Sequence, residues 1–145
     1  MSVRTFWITV ALATIAGIIG SALTELLTER IAIVGAFAGL QKSYNPGIAF
    51  GLRLPERIQE LLILAALVAV GWMALTFART RLSQTSFGLI IGGGLANIID
   101  RVPDGLVTDV FQVGSFPVFN VADSCITIGV LLLFVEVVRK GRPNG

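Results

Sequence analysis

The sequence predicts a mainly α membrane protein: four transmembrane helices carrying a small β-sheet, or cradle, on the extracytoplasmic side. Three observations lead there. Of the 145 residues, 54% are apolar and only 14% are charged, where a soluble domain carries about 25% charge. A chain of this length folded in water could not bury so much apolar surface. Four runs close to the roughly 20 apolar residues that cross a bilayer core are separated by segments rich in turn residues.

The first run, "FWITVALATIAGIIGSALTELL" at about 6–27, predicts the first span. It also has features of a signal peptide, with Arg4 ahead of it and Gly20-Ser21-Ala22 near its end. Its length is sufficient to cross. Residues 28–57 are too polar and too broken by Gly and Pro to span. Asn45-Pro46-Gly47 reads as a turn, and Ile48, Phe50 and Leu52 then alternate with small residues as a weak strand signal. The second span is predicted at about 58–78 and the third at about 84–100. In the third, Gly88, Gly92 and Ala96 lie four apart beside Gly93 and Gly94, a pattern that lets helices approach closely in lipid. Residues 101–119 form a second outer loop, with a turn at Pro103-Asp104-Gly105 and a loose strand pattern in "LVTDVFQV". The fourth span is predicted at about 120–138. No repeat, low-complexity tract or linker divides the chain, so residues 1–145 are expected to form a single integral membrane domain.

Charge sets the expected direction. Arg79 and Arg81, then Arg139, Lys140 and Arg142, lie at span ends on the side shared by both termini. Basic clusters in short flanks mark the cytoplasm, so both termini are expected there. The acids Glu25, Glu29, Glu56, Glu60, Asp100, Asp104, Asp109 and Asp123 fall on the opposite side.

Composition also excludes chemistry. The chain has no histidine, which removes Ser/His and Cys/His nucleophile pairs and most zinc or iron sites. Cys125 is alone, so no intrachain disulfide can form. A net charge of +2 without a basic stripe gives no sign of a nucleic-acid partner.

What remains is a polar constellation at the outer ends of spans three and four. Asn97, Asp100 and Arg101 share one helix face, as do Asn120 and Asp123. Each has a structural reading: Asp100 and Arg101 as an ion pair, Asn120 and Asp123 as a helix cap with an acid at its third position, Asn45 and Asp104 as turn residues, Cys125 as a small buried side chain. Asp109, in a strand-like run, has no such role, since aspartate is disfavoured in strands. Together, two acids can hydrolyse a peptide without metal or histidine. An ionised carboxylate takes a proton from water while a protonated one polarises the carbonyl. Close carboxylates share one proton because both cannot ionise together, and their titration belongs to the pair.

At these residues the sequence resembles the lipoprotein signal peptidases, the type II signal peptidases of bacteria. "YNPGIAFGL" resembles the family's Asn-x-Gly-Ala-Ala-Phe motif, "GGGLANIIDRV" its Gly-Gly-Ala-x-Gly-Asn-x-x-Asp-Arg motif, and "VTDV" with "FNVADS" the stretch carrying its two catalytic aspartates. The likeness runs in order from about residue 31 to 135. The resemblance implies a four-span aspartyl endopeptidase of the bacterial inner membrane, cutting prolipoproteins just before a diacylglyceryl-modified cysteine at the outer face. It implies Asp109 and Asp123 as the catalytic pair and Asn45, Asn97, Arg101 and Asn120 as supporting residues, with Asp100 matching an acid outside that pair. No metal or organic cofactor is implied. The expected partners are the prolipoprotein and membrane lipid, with the chain itself a monomer.

The sequence departs from the family pattern at several points. Ser21 and Glu25 stand where an Asp-x-x-x-Lys pair is usual, Ala96 replaces a glycine, Pro46 replaces a threonine-like residue, and the first outer loop is short. The first-span departure supports an alternative, a non-catalytic homologue that binds prolipoproteins or other membrane partners. Another rival, a proton or ion transporter, lacks charges at the span centres to form a route across.

Overall fold

Each of the four apolar runs folds as a helix of 20 to 22 residues, about 30 Å at 1.5 Å per residue. The computed structural model describes residues 3–47 and 56–140, without the side chains of residues 56, 57, 59 and 60. In chain order it contains α1 (Arg4–Glu25), β1 (Ile31–Val34), β2 (Ala38–Asn45), α2 (Glu56–Phe77), α3 (Arg81–Arg101), β3 (Val107–Val113), β4 (Phe116–Phe119) and α4 (Val121–Lys140). This is the predicted fold class. α1, α3 and α4 are each long and apolar enough to cross a membrane, and α2 contributes the shorter apolar stretch Leu61–Phe77. The strand signal at Ile48, Phe50 and Leu52 lies outside the described residues.

The large apolar side chains point outward. Trp7, Leu12, Val68, Leu75 and Val137 are all more than 60% exposed, a cost in water that vanishes when the surroundings are lipid tails. The interior is built from small residues instead. On α3, Gly88 meets Thr9 and Phe6, Gly92 meets Val10 and Ala13, and Ala96 meets Gly17, all on α1. Gly93 faces Ala122, Cys125 and Ile126 on α4, and Gly94 faces Leu67 on α2. α3 is therefore the central helix, and the small-residue pattern read from the sequence is its contact surface. Thr14 Oγ1 adds a hydrogen bond to the Gly92 carbonyl at 3.2 Å.

A side chain at Gly92 has no room: a Cβ there would lie 2.6 Å from the Val10 carbonyl oxygen and 2.6 Å from the Ala13 Cβ. Gly92→Leu is expected to force α1 and α3 apart and to destabilise the fold by about 3 kcal/mol. Thermal unfolding in detergent micelles checks this, and a native-like midpoint would show that the seam is not tight.

α3 begins at Arg81, earlier than the predicted span, because Thr80 caps it. Its Oγ1 accepts the Ser83 N–H at 3.0 Å, and the Ser83 hydroxyl accepts the Thr80 N–H at 3.0 Å. Thr80 also donates to Glu136 Oε1 at 2.8 Å, and Lys140 sits 2.6 Å from the same oxygen. These contacts tie the start of α3 to the last turn of α4, at the end of the bundle away from the sheet.

At the other end the chain forms one antiparallel sheet in the order β1-β2-β3-β4. The two hairpins turn at Gly35 and Gly114, whose φ values of 51° and 54° suit glycine. A clasp joins the hairpins: Arg30 Nη2 donates to the Gly35 carbonyl and to Gln112 Oε1, and Gln112 Nε2 donates to the Gly114 carbonyl. The expected strand in "LVTDVFQV" is β3. Its residues Val107 to Val110 are all buried, so both faces of this interior strand are covered. The expected turns also form, with the Gly47 N–H on Asn45 Oδ1 at 2.8 Å and the Leu106 N–H on Asp104 Oδ1 at 2.9 Å.

Candidate active site

The C-terminal end of α3 and the N-terminal end of α4 meet the sheet at one polar cluster. β3 carries Asp109 into it, in register with Ser43 of β2, and Asp109 is only 2% exposed. Asn45 ends β2, and its Nδ2 donates to Asp109 Oδ2 at 3.1 Å. Asn120 stands just before α4, and its Nδ2 donates to Asp109 Oδ1 at 3.0 Å and to Asn97 Oδ1 at 3.0 Å. Asn97, on α3, passes the chain onward, its Nδ2 donating to Asp123 Oδ1 at 2.8 Å. The cap of α4 closes the circuit: the Asp123 N–H donates to Asn120 Oδ1 at 2.8 Å and the Asn120 N–H to Asp123 Oδ2 at 3.3 Å. The capping reading of Asn120 and Asp123 is thus correct, and the same side chains also link the two acids. Every carboxylate oxygen of the pair accepts from an amide.

Arg101 holds a neighbouring wall. Its Nη2 donates to the Gly47 carbonyl at 2.8 Å, fastening the Asn45-Pro46-Gly47 turn to the end of α3. The ion pair read for Asp100 and Arg101 is not among the salt bridges of the described residues. Asp100 turns instead to Ser21 and to the Thr108 N–H, at 2.6 Å from the latter. Neighbouring side chains on a helix point in directions about 100° apart, so the two reach different elements.

An apolar groove of about 640 Å³ opens beside the cluster, between β4 and the first turns of α4. Asn45 and Asp123 form its polar end, and Phe116, Phe119, Ile126 and Ile128 are among its apolar walls. Asp109 is covered behind it.

Burial is the main reason the Asp109 carboxyl is pushed up from 3.8 to about 6. The Asn45 hydrogen bond opposes that rise, the Asp123 charge adds to it, and Arg101 and the Asn120 hydrogen bond oppose it. A carboxyl raised in the folded state contributes stability that is complete below about pH 4 and is lost as pH climbs through about 6. Asp109→Asn removes that loss but strands one amide donor, since Asn45 and Asn120 both offer N–H groups. The variant is therefore expected to melt below the native chain at pH 4 and above it at pH 8, by on the order of 2 kcal/mol at the higher pH. Thermal scans across that range check the crossing.

Comparisons with known proteins then decide the family. The family model described as signal peptidase (SPase) II matches residues 6–139. The chain belongs to the signal peptidase II family. It is 42% identical over 123 residues to the lipoprotein signal peptidase of Chlorobaculum parvum, covering 74% of this chain and 76% of that one. It is 38% identical over 125 residues to the lipoprotein signal peptidase of Symbiobacterium thermophilum, covering 79% and 82%. A solved bacterial membrane enzyme structure, determined by the in meso method at 2.3 Å, superposes with a TM-score of 0.80 at 25% identity over 94% of this chain and 92% of that one. A second, at 1.9 Å, gives 0.75 at 25% identity. Membership makes the chain a peptidase of signal peptides, built on membrane-spanning helices.

The polar cluster joins Asn45, Asn97, Asp109, Asn120 and Asp123 into one network and places Arg101 on its flank. Sequence reasoning did not anticipate Thr108, Tyr44 and Lys42, which fasten the sheet to the end of α3 through Asp100 and to the end of α1 through Glu25. Nothing in their spacing marks them, because strand register alone brings them there.

Proposed function

We propose that the chain is an aspartyl endopeptidase that removes the signal peptide from diacylglyceryl-modified prolipoproteins, cutting just before the lipidated cysteine, with Asp109 and Asp123 as the catalytic pair. The observation that carries the reading is the amide circuit through Asn120 and Asn97, which couples the two acids at the head of an apolar groove. In this reading Asp109, the buried member, holds the shared proton and donates a hydrogen bond to the scissile carbonyl oxygen. Asp123, at the positive end of the α4 dipole, takes a proton from water as the water oxygen attacks the carbonyl carbon. The tetrahedral intermediate collapses with cleavage of the C–N bond, and the proton on Asp123 passes to the departing amine. No metal or organic cofactor enters the scheme.

The lipid anchor gives the site its place. A substrate held in the membrane by its acyl chains presents its bond at the water–lipid boundary, where the groove changes from polar to apolar. Both termini are cytoplasmic and the acids face outward, following the basic clusters at Arg79, Arg81, Arg139 and Lys140.

The deciding experiment is cleavage of a synthetic prolipoprotein by the purified native chain in liposomes, with and without the diacylglyceryl group. The expected result is turnover of the lipidated substrate only, with the lipidated cysteine as the new N-terminus. Binding without turnover would favour the non-catalytic reading raised by Ser21 and Glu25.

A further inference from the structure

We propose that Ser21 on α1 is a positioning residue for Asp109, acting through Asp100 and the backbone of Thr108; the proposal rests on Asp109 being one of the catalytic pair. The seam between α1 and α3 sets the geometry. Val10, Ala13 and Gly17 on α1 face Gly92 and Ala96 on α3, and one further turn along each row brings Ser21 opposite Asp100. Ser21 Oγ donates to Asp100 Oδ1. The other oxygen, Oδ2, accepts the Thr108 N–H at 2.6 Å. Thr108 is the residue before Asp109 on β3, so the Asp100 carboxylate fixes the backbone from which the Asp109 side chain projects.

A second grip acts on the Thr108 side chain. Its Oγ1 donates to Glu25 Oε1 at 3.3 Å, and Tyr44, its register partner on β2, donates to Glu25 Oε2 at 2.9 Å. Lys42 Nζ lies 3.6 Å from the same Oε2. The Glu25 hydrogen bond pushes the Tyr44 phenol up, holding it in the donating form. Thr108 of β3 is therefore held twice, by its backbone through Asp100 of α3 and by its side chain through Glu25 of α1. This gives a physical account of the two unusual residues of the first span. A carboxylate at position 21 would face the carboxylate of Asp100, whereas a hydroxyl donates to it. An acid at position 25 finds its base on the sheet, at Lys42.

Asp100 ranks as the working link because it is partly buried between α1 and β3, while Glu25 is largely exposed and its ion pair is open to screening. Removing the Ser21 hydroxyl frees the Asp100 carboxylate to turn, and the start of β3 turns with it. Asp109 then loses alignment with its Asn45 and Asn120 donors. Those contacts favour the anion, so their loss raises its titration midpoint. The charged groups that act on Asp109 are Asp123 on α4 and Arg101 on α3; neither is changed by the substitution.

The test uses the full chain in liposomes, native and with Ser21→Ala or Ser21→Thr, the latter keeping the hydroxyl. Two measurements are made: kcat and KM on the lipidated prolipoprotein, and the Asp109 carboxyl midpoint by carbon NMR of labelled aspartate. Ser21→Ala is expected to lower kcat about tenfold with KM within about twofold, an alignment loss of about 1.4 kcal/mol, and to raise the Asp109 midpoint. Ser21→Thr is expected to restore both. A Ser21→Ala chain with native kcat and native midpoint, or one that only melts earlier, overturns the proposal. A native chain that shows no turnover while its midpoint still responds to Ser21 supports the link to Asp109 and sinks the protease reading separately.

Discussion

Asp109→Asn and Asp123→Asn are each expected to lower turnover of a lipidated prolipoprotein by about a thousandfold or more, with both variants remaining folded. The size follows from the chemistry. An asparagine can neither hold the shared proton nor take one from water, and general acid–base assistance accounts for about 10² to 10⁴ in rate. Both substitutions preserve shape, and Asp109→Asn also removes the burial cost of an ionised carboxyl, so loss of activity cannot be charged to unfolding. The double variant should fall little further than either single one, because the acids act as a unit. Turnover within tenfold of native for either single variant would remove the paired-acid mechanism. Circular dichroism and melting on the same preparations verify the fold.

Asn120→Ala is expected to be nearly as damaging, for a different reason. This side chain accepts the Asp123 N–H, donates to Asp109 Oδ1 and donates to Asn97 Oδ1. Its removal uncaps α4, at about 1 kcal/mol, and leaves three buried or half-buried partners short of a hydrogen bond. The total cost is about 2–4 kcal/mol in stability. Activity should drop by about a hundredfold as the acids lose their common brace. The pH profile separates this from simple loosening. The Asn120 hydrogen bond opposes the rise in the Asp109 carboxyl, so without it that carboxyl holds its proton to higher pH. The alkaline limb of kcat/KM should move upward accordingly. A limb that stays in place while activity falls would show that Asn120 does not touch the proton-holding acid.

Much of this architecture is legible along the chain. Hydrophobic length marks four helices, and the four-residue spacing of Gly88, Gly92 and Ala96 marks the seam with α1. Asp109 stands out because a lone acid in a strand-like run has no structural excuse. The turn chemistry of Asn45-Pro46-Gly47 and Pro103-Asp104-Gly105 is local, and both turns form where residue type places them. β4 escapes notice because "FPVF" is short and contains proline, and it pairs only because the Gly114 turn returns it to β3. The partners of Asp100 are also invisible in sequence. Proximity suggests Arg101, but helix geometry sends that side chain to the Gly47 carbonyl and leaves Asp100 to residues 79 positions earlier and 8 positions later. Contacts set by the packing of whole elements cannot be read from spacing within one of them.

The unequal seating of the helices has a consequence for entry. α1 and α4 both lock onto α3 through small residues, whereas among the described residues α2 packs chiefly along α3 alone. A rod fastened along one edge is the cheapest of the four to swing aside. Entry of a membrane-held substrate beside α2 is therefore expected to disturb least the frame of α1, α3 and α4 on which Asp109 and Asp123 are mounted.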